Sequence, residues 1–153
     1  MKNRLAILTV LLLSFITVTC VAQSNKLVKV PLFKTMPKTI HCSSLELNRL
    51  FQLEKGQQNK EVLIAGQLNI SGTIISSTAK FNNLFSTTIK LSAYNDAILS
   101  ISKRIDENDH AVFTGHIFHQ NSSDGYELKK NEDDSYQFVK INVGEILPVC
   151  AHS

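Results

Sequence analysis

The sequence predicts a mainly β protein: a small antiparallel meander forming a barrel or a two-sheet sandwich, with one short helix near the mature N-terminus. Three observations predict this. Between residues 61 and 143, apolar and polar residues alternate in short runs, the period-2 pattern of strands with one buried and one wet face. Short polar breaks rich in Asn and Asp separate these runs, and strands joined by short turns become antiparallel neighbours. Only residues 43–52 carry a helical period with a capping signature.

The chain opens on the layout of an export signal, assigned to residues 1–22. Lys2 and Arg4 come first, residues 5–18 are apolar apart from Thr9, Ser14 and Thr17, and small residues close the segment. Its apolar core is shorter than the roughly 20 residues a spanning helix needs, so no stable membrane span is expected. Cleavage after Ala22 makes Gln23 the mature N-terminus. The lesser alternative is a lipid anchor through Cys20, although Thr17 and Thr19 stand where lipoprotein signals carry a Leu-like and a small residue. The expected address is the periplasm or the extracellular space.

Charge narrows the partners. The full chain has 16 Lys and Arg against 13 Asp and Glu, but two of the basic residues belong to the signal. The near-neutral mature chain gives no electrostatic reason to expect nucleic acid as a partner. About 130 mature residues fit a single domain, divided into an extended lead-in over residues 23–40 and a β-rich domain over residues 41–153, expected to be a monomer.

Within the lead-in, residues 27–32 could form an edge strand, with Pro31 tolerated there. The helix over residues 43–52 starts with Ser43 and Glu46 at capping-box spacing, and Leu47, Leu50 and Phe51 share one face. Gly56 is expected to end it. Residues 61–76 form the longest alternating run, with Val62, Ile64, Leu68, Ile70 and Ile74 on one parity and Gly66 and Gly72 as points of bending. Residues 77–84 read as a loop. Strands follow over residues 86–93 and 97–103, with Asn95 and Asp96 as the break between them and Ala97, Leu99 and Ile101 inward. An acidic turn over residues 106–109 leads to a strand over 111–118. A turn through Asp124 and Gly125, a strand over 126–130, a turn over 131–134 and a strand over 136–143 complete the meander. A short segment, residues 145–149, then leads to Cys150.

Cys42 and Cys150 are the two cysteines left after signal removal, and in an exported chain a disulfide between them is expected. It would close a loop of order 100 residues, for which the chain-entropy model gives about 4.7 kcal/mol.

No catalytic constellation emerges. His116 and His119 resemble an H-x-x-H pair, but residues three apart on a strand point to opposite faces, and His110 lies about 20 Å from His116 at strand rise. The acidic residues Asp106, Glu107, Asp109, Asp124, Glu132, Asp133 and Asp134 read as turns that also blunt edge pairing. At EF-hand spacing, Ala111 stands where a Gly is required. No serine-hydrolase elbow or glycine-rich phosphate loop is present. Lys129 and Lys130 beside Tyr126 and Tyr136 could form a weak single-strand stacking surface, which the charge balance disfavours. No metal and no cofactor is expected.

The signal end Val21-Ala22-Gln23, the stretch SLELNRLFQLEKGQ before an alternating strand, and the later FTGHIFHQNSSDGYELKK and YQFVKIN resemble small secreted β-rich proteins of Bacteroidota-type bacteria. The resemblance carries over no functional residue. The expectation is an exported, non-catalytic binding or interaction module for an unknown protein or small ligand. The alternative is a stand-alone, pro-region-like chaperone or inhibitor of an exported peptidase. A binding surface is sought first at the loop holding His119, Asp124 and Tyr126.

Overall fold

A computed structural model describes residues 29–59 and 63–143. Residues 1–22, expected to be an export signal, with Cys20 among them, and Cys150 lie outside the described residues. The chain is mainly β. Ten strands occur in order: β1 (Thr39–Cys42), β2 (Gln58–Asn59), β3 (Leu63–Ile64), β4 (Leu68–Asn69), β5 (Gly72–Phe81), β6 (Leu84–Leu91), β7 (Ala97–Ile105), β8 (Ala111–Phe118), β9 (Asp124–Lys130) and β10 (Tyr136–Asn142). Helix α1 (Ser44–Arg49) runs into a 3-10 turn over Leu50–Gln52, and a second 3-10 turn covers Ser92–Tyr94.

Eight strands make one antiparallel sheet in the order β1-β10-β9-β8-β7-β6-β5-β2, and β3 and β4 form a separate ribbon. From β5 to β10 the order is a meander, as the short turns predict. The sheet stays open, which removes the barrel expectation. Closure would require β1 to pair with β2, and no such pairing exists among the described residues. Both edges are short: β2 pairs only Thr73 and Gly72 of β5, and β1 covers four residues of β10.

One face of the sheet is apolar. Cross-strand partners share a face, so register alone groups Ile89 with Leu99, Thr87 with Ile101, and Leu128 with Phe138. All of these are buried. Segments outside the sheet close the core: Phe33 from the lead-in, Leu47 and Leu50 from the helical stretch, and Ile64, Leu68 and Ile70 around the ribbon all join the same cluster.

The helix starts as its sequence requires. Ser43 Oγ accepts the Glu46 N–H, and Glu46 Oε2 accepts the Ser43 N–H at 2.8 Å. Gly56 does not end it. The helix tightens into the 3-10 turn at Leu50, and Gly56 lies further on, at φ 84°, donating its N–H to Ile74 O.

The long strand expected over residues 61–76 is a hairpin followed by a new strand. Ala65 and Gly66 take φ 52° and 64°, the left-handed pair that suits a twisted hairpin, and Ile64 faces Leu68. A cross-strand pair keeps both partners on one side, so Ile64, Leu68, Ile70 and Ile74 are all buried despite the break. The predicted parity holds for Ile64, Leu68, Ile70 and Ile74, Val62 lies outside the described residues, and the predicted continuity is broken. The loop expected at residues 77–84 is instead the second half of β5, where Ser77, Thr78 and Ala79 pair with Thr87, Ser86 and Phe85. Of the edge strand expected over residues 27–32, residues 27 and 28 lie outside the described residues, 29–31 carry no strand, Leu32 enters a turn, and the edge is β1.

Candidate functional site

The outer face of β7–β10 holds a mainly apolar surface depression. Register builds it from the sequence. Ser100 of β7 sits opposite His116 of β8, which sits opposite Glu127 of β9. Ser102 faces Thr114, and Ile98 faces Phe118. Ile141 of β10 is opposite Gly125. At Gly125 a Cβ would come within 2.4 Å of Ile117 O and 3.4 Å of Val143 Cγ2, so this position must remain bare. The result is a groove of about 530 Å³ whose wall includes Phe118, Ile141 and Val143, with His116, Glu127 and the Ser100 hydroxyl along it.

The polar groups of the groove are only loosely engaged. The His116 ring lies 5.3 Å from the Phe118 ring at a tilt of 37°. Glu127 pairs with Lys129 at 3.2 Å. Ser100, His116 and Glu127 form a row across three strands, but no hydrogen bond joins one to the next. A serine nucleophile is activated by a base within hydrogen-bond reach, and no side-chain hydrogen bond of that kind joins Ser100 to His116 in this arrangement.

A second depression of about 520 Å³ adjoins the groove through Phe118 and reaches His119, Asn121, Lys90 and Asp96. Here the loop predicted as a binding surface meets the groove. The structure separates the three residues named for that loop. His119 is half-buried, and its Nδ1 accepts the Asn121 N–H. Asp124 and Tyr126 are buried members of β9, not loop residues. The turn is made by residues 119–123, with the Ser122 N–H on His119 O.

Asp124 and Tyr126 serve the lead-in segment. Asp124 accepts the Leu32 N–H at 2.7 Å, the Phe33 N–H at 3.1 Å and the Ser122 hydroxyl at 2.7 Å. Tyr126 Oη donates to Pro37 O at 2.6 Å. Burial pushes the Tyr126 hydroxyl up to about 12, and the neighbouring Asp124 and Tyr94 add to the rise, so it remains a donor throughout the neutral range. Lys140, paired in register with Tyr126, donates to Phe33 O and Met36 O.

Other chemistry named from the sequence falls elsewhere. His116 is on the outer face and His119 at the loop, and among the described residues no three His, Cys, Asp or Glu side chains converge. The Asp106 carboxylate caps its own turn by accepting the Asn108 and His110 N–H groups. Tyr126 and Tyr136 are in the core, so the stacking surface near Lys129 and Lys130 does not exist. Cys42 is a buried free thiol among the described residues, raised to about 12 by burial and then by the Glu46 charge. Its predicted partner Cys150 lies outside them.

Sequence reasoning missed Ser100, Thr114, Glu127 and Ile141, because they meet only through strand register. One signal was available. In YQFVKINV the residues Val139, Ile141 and Val143 are apolar on the parity opposite Tyr136 and Phe138, which marks a strand with apolar residues on both faces.

No protein-family model matches the chain, and no curated protein or solved structure shows significant similarity to it.

Proposed function

We propose that the chain is an exported, non-catalytic binding module whose partner docks in the outer-face groove around His116, Phe118, Glu127 and Ile141. One observation carries this reading: an apolar-walled groove with a few convergent polar groups, the usual make-up of a ligand site, opens on a sheet face rather than in the core. Two further observations support it. The buried carboxylate of Asp124 and the half-buried, inward-facing Lys140 are committed to the lead-in segment, and residues 1–22 have the layout of an export signal.

The test is amide NMR of the mature chain, titrated with a panel of extended peptides and small apolar carboxylates. The expected shifts cluster on His116, Phe118, Glu127 and Ile141 and are lost in Phe118→Ser and Ile141→Ser. Binding whose shifts leave these amides still, or a panel that gives no shift anywhere, overturns the reading.

A further inference from the structure

Residues 32–37 form a turn, with the Met36 N–H on Phe33 O at 3.0 Å, lying against β9, β10 and the Ser92–Tyr94 turn. The hydrogen bonds that hold this turn from β9, β10 and Ser122 all go to its main chain. Asp124 and Ser122 accept the N–H groups of Leu32 and Phe33. Lys140 Nζ donates to Phe33 O at 2.6 Å and to Met36 O at 2.7 Å, and Tyr126 Oη donates to Pro37 O. A carboxylate thus reads N–H groups while an ammonium and a phenol read carbonyls.

Only one arm side chain is fully enclosed. Phe33 has no exposed surface, and its ring lies 5.3 Å from Tyr126, edge to face, and 5.5 Å from Tyr94. Pro31, Lys34, Thr35 and Pro37 face solvent. The cleft therefore holds a turn of polypeptide backbone and one fully enclosed aromatic ring, while Leu32 and Met36 pack partly buried against the same core. The arm lies on the N-terminal side of β1, so among the described residues it can leave the cleft without opening a strand pair of the sheet. Its departure would strand a buried carboxylate and an inward ammonium, left among the described residues with Ser122 and the Tyr126 ring.

We infer that the cleft formed by Ser122, Asp124, Tyr126, Lys140 and Tyr94 is a peptide-binding site, filled in cis by residues 32–37. It takes a phenylalanine-bearing turn from a second polypeptide when the arm is displaced. This site lies apart from the outer-face groove and does not depend on it.

The probe is a fluorescein-labelled peptide of residues 29–38, followed by fluorescence anisotropy with the full mature chain. In the wild type the tethered arm competes at an effective concentration in the millimolar range, and little binding is expected. Phe33→Ala removes the arm's anchor and leaves the cleft whole, so the probe should bind at least tenfold more tightly. Adding Lys140→Met, or replacing the probe's own phenylalanine by alanine, should abolish that gain. Phe33→Leu serves as the milder variant if circular dichroism shows Phe33→Ala to be unfolded. A folded Phe33 variant that gains no affinity for the probe, or a gain that survives Lys140→Met, overturns the inference.

Discussion

Removing one hydroxyl at Tyr136 should weaken the sheet where its ladder is broken. β8 and β9 pair only from Gly115 to Ile117, against Leu128 to Tyr126. Beyond that the two strands part, although β9 and β10 stay paired as far as Lys130 and Tyr136. The Phe113 N–H would be left without a strand partner, and Phe113 is 2% exposed. Tyr136 supplies the missing acceptor: its Oη takes the Phe113 N–H at 3.3 Å and reaches Ala111 O at 3.5 Å. Its ring stands edge to face with Phe113 at 5.4 Å, so Tyr136→Phe keeps the packing and removes only the hydroxyl. Stranding a buried N–H costs about 1–3 kcal/mol, while losing the long contact to Ala111 adds little. The expected destabilisation is about 2 kcal/mol. That corresponds to a Tm lowered by roughly 8 °C, taking about 4 °C per kcal/mol for a domain of this size. Urea unfolding measures the first quantity, and amide exchange at Phe113 should accelerate selectively. A change below about 0.5 kcal/mol, within the usual range of neutral surface substitutions, with Phe113 still protected, would refute the assignment of Tyr136 as the substitute for a strand partner.

Four other perturbations probe separate parts of the fold. Gly72→Ala would place a Cβ 1.9 Å from Lys90 O in the facing strand. It should cost at least the roughly 1–3 kcal/mol of an overpacked site, and unfolding at wild-type urea concentration would contradict this. Thr87 is 1% exposed, and its hydroxyl has no partner among the described residues, so the near-isosteric Thr87→Val should stabilise by about 1 kcal/mol; a loss of stability would reveal a partner. At Glu46, burial pushes the carboxyl up, but bonds from the Ala65 and Ser43 N–H groups and the Ser43 hydroxyl, with the Arg49 charge, outweigh it and hold it below its ordinary 4.5. A depressed folded value gives stability that is present above the unfolded value and lost as pH falls through the folded one. Stability should therefore drop below about pH 4.5 less steeply in Glu46→Ala than in the wild type, and parallel pH curves would count against it. Reduced native protein should resist alkylation at Cys42, whose thiol is buried and raised to about 12, while unfolded protein labels quickly; equal rates would show that the thiol is accessible.

The Cys42–Cys150 disulfide has a geometric condition. Cys42 pairs with Tyr136 in register, so Val143 lies about 23 Å further along β10 at strand rise. The segment from Val143 to Cys150 reaches at most about 25 Å. A disulfide spans about 6 Å between Cα atoms, so the bridge requires residues 144–150 to cover about 18 Å back toward β1, which is within that reach. Intact mass with and without reductant reads it directly. A difference of two hydrogens supports the bridge, and equal masses rule it out.

Strand identity was legible wherever one face is buried. Residues 111–118 were read with both ends in place, and Ala97, Leu99 and Ile101 were read inward and are fully buried. Where neither face meets the core, the pattern is silent. Beyond Ile74, β5 is mostly exposed and carries Ser, Thr and Ala, so its pairing with β6 left no alternation to read. Asp124 and Gly125 misled for a different reason. The pair has turn chemistry, but Asp124 faces the lead-in segment, and Gly125 lies where Ile117 and Val143 leave no room for a side chain. Both residue types are explained by tertiary contacts more than 90 residues away in sequence or across the sheet.

Once parity is known, departures from it locate both sites. Lys140 falls on the inward parity of β10 beside Tyr136 and Phe138, and Lys103 on the inward parity of β7 beside Ile101. A charge at an inward position is costly unless it is bonded, so each must meet something from outside the sheet. Lys140 finds the carbonyls of the arm. Lys103 finds Asn48 Oδ1 at 3.0 Å and the rings of Phe51 and Phe85. Inward lysines therefore mark where the arm and the helix close the open sheet. The opposite departure, apolar residues on the outward parity at Ile98, Phe118 and Ile141, gathers across β7, β8 and β10 into one surface. The first kind of departure is answered within the chain by named bonds. The second has no such answer among the described residues, and for that reason the outer groove is where a partner is sought.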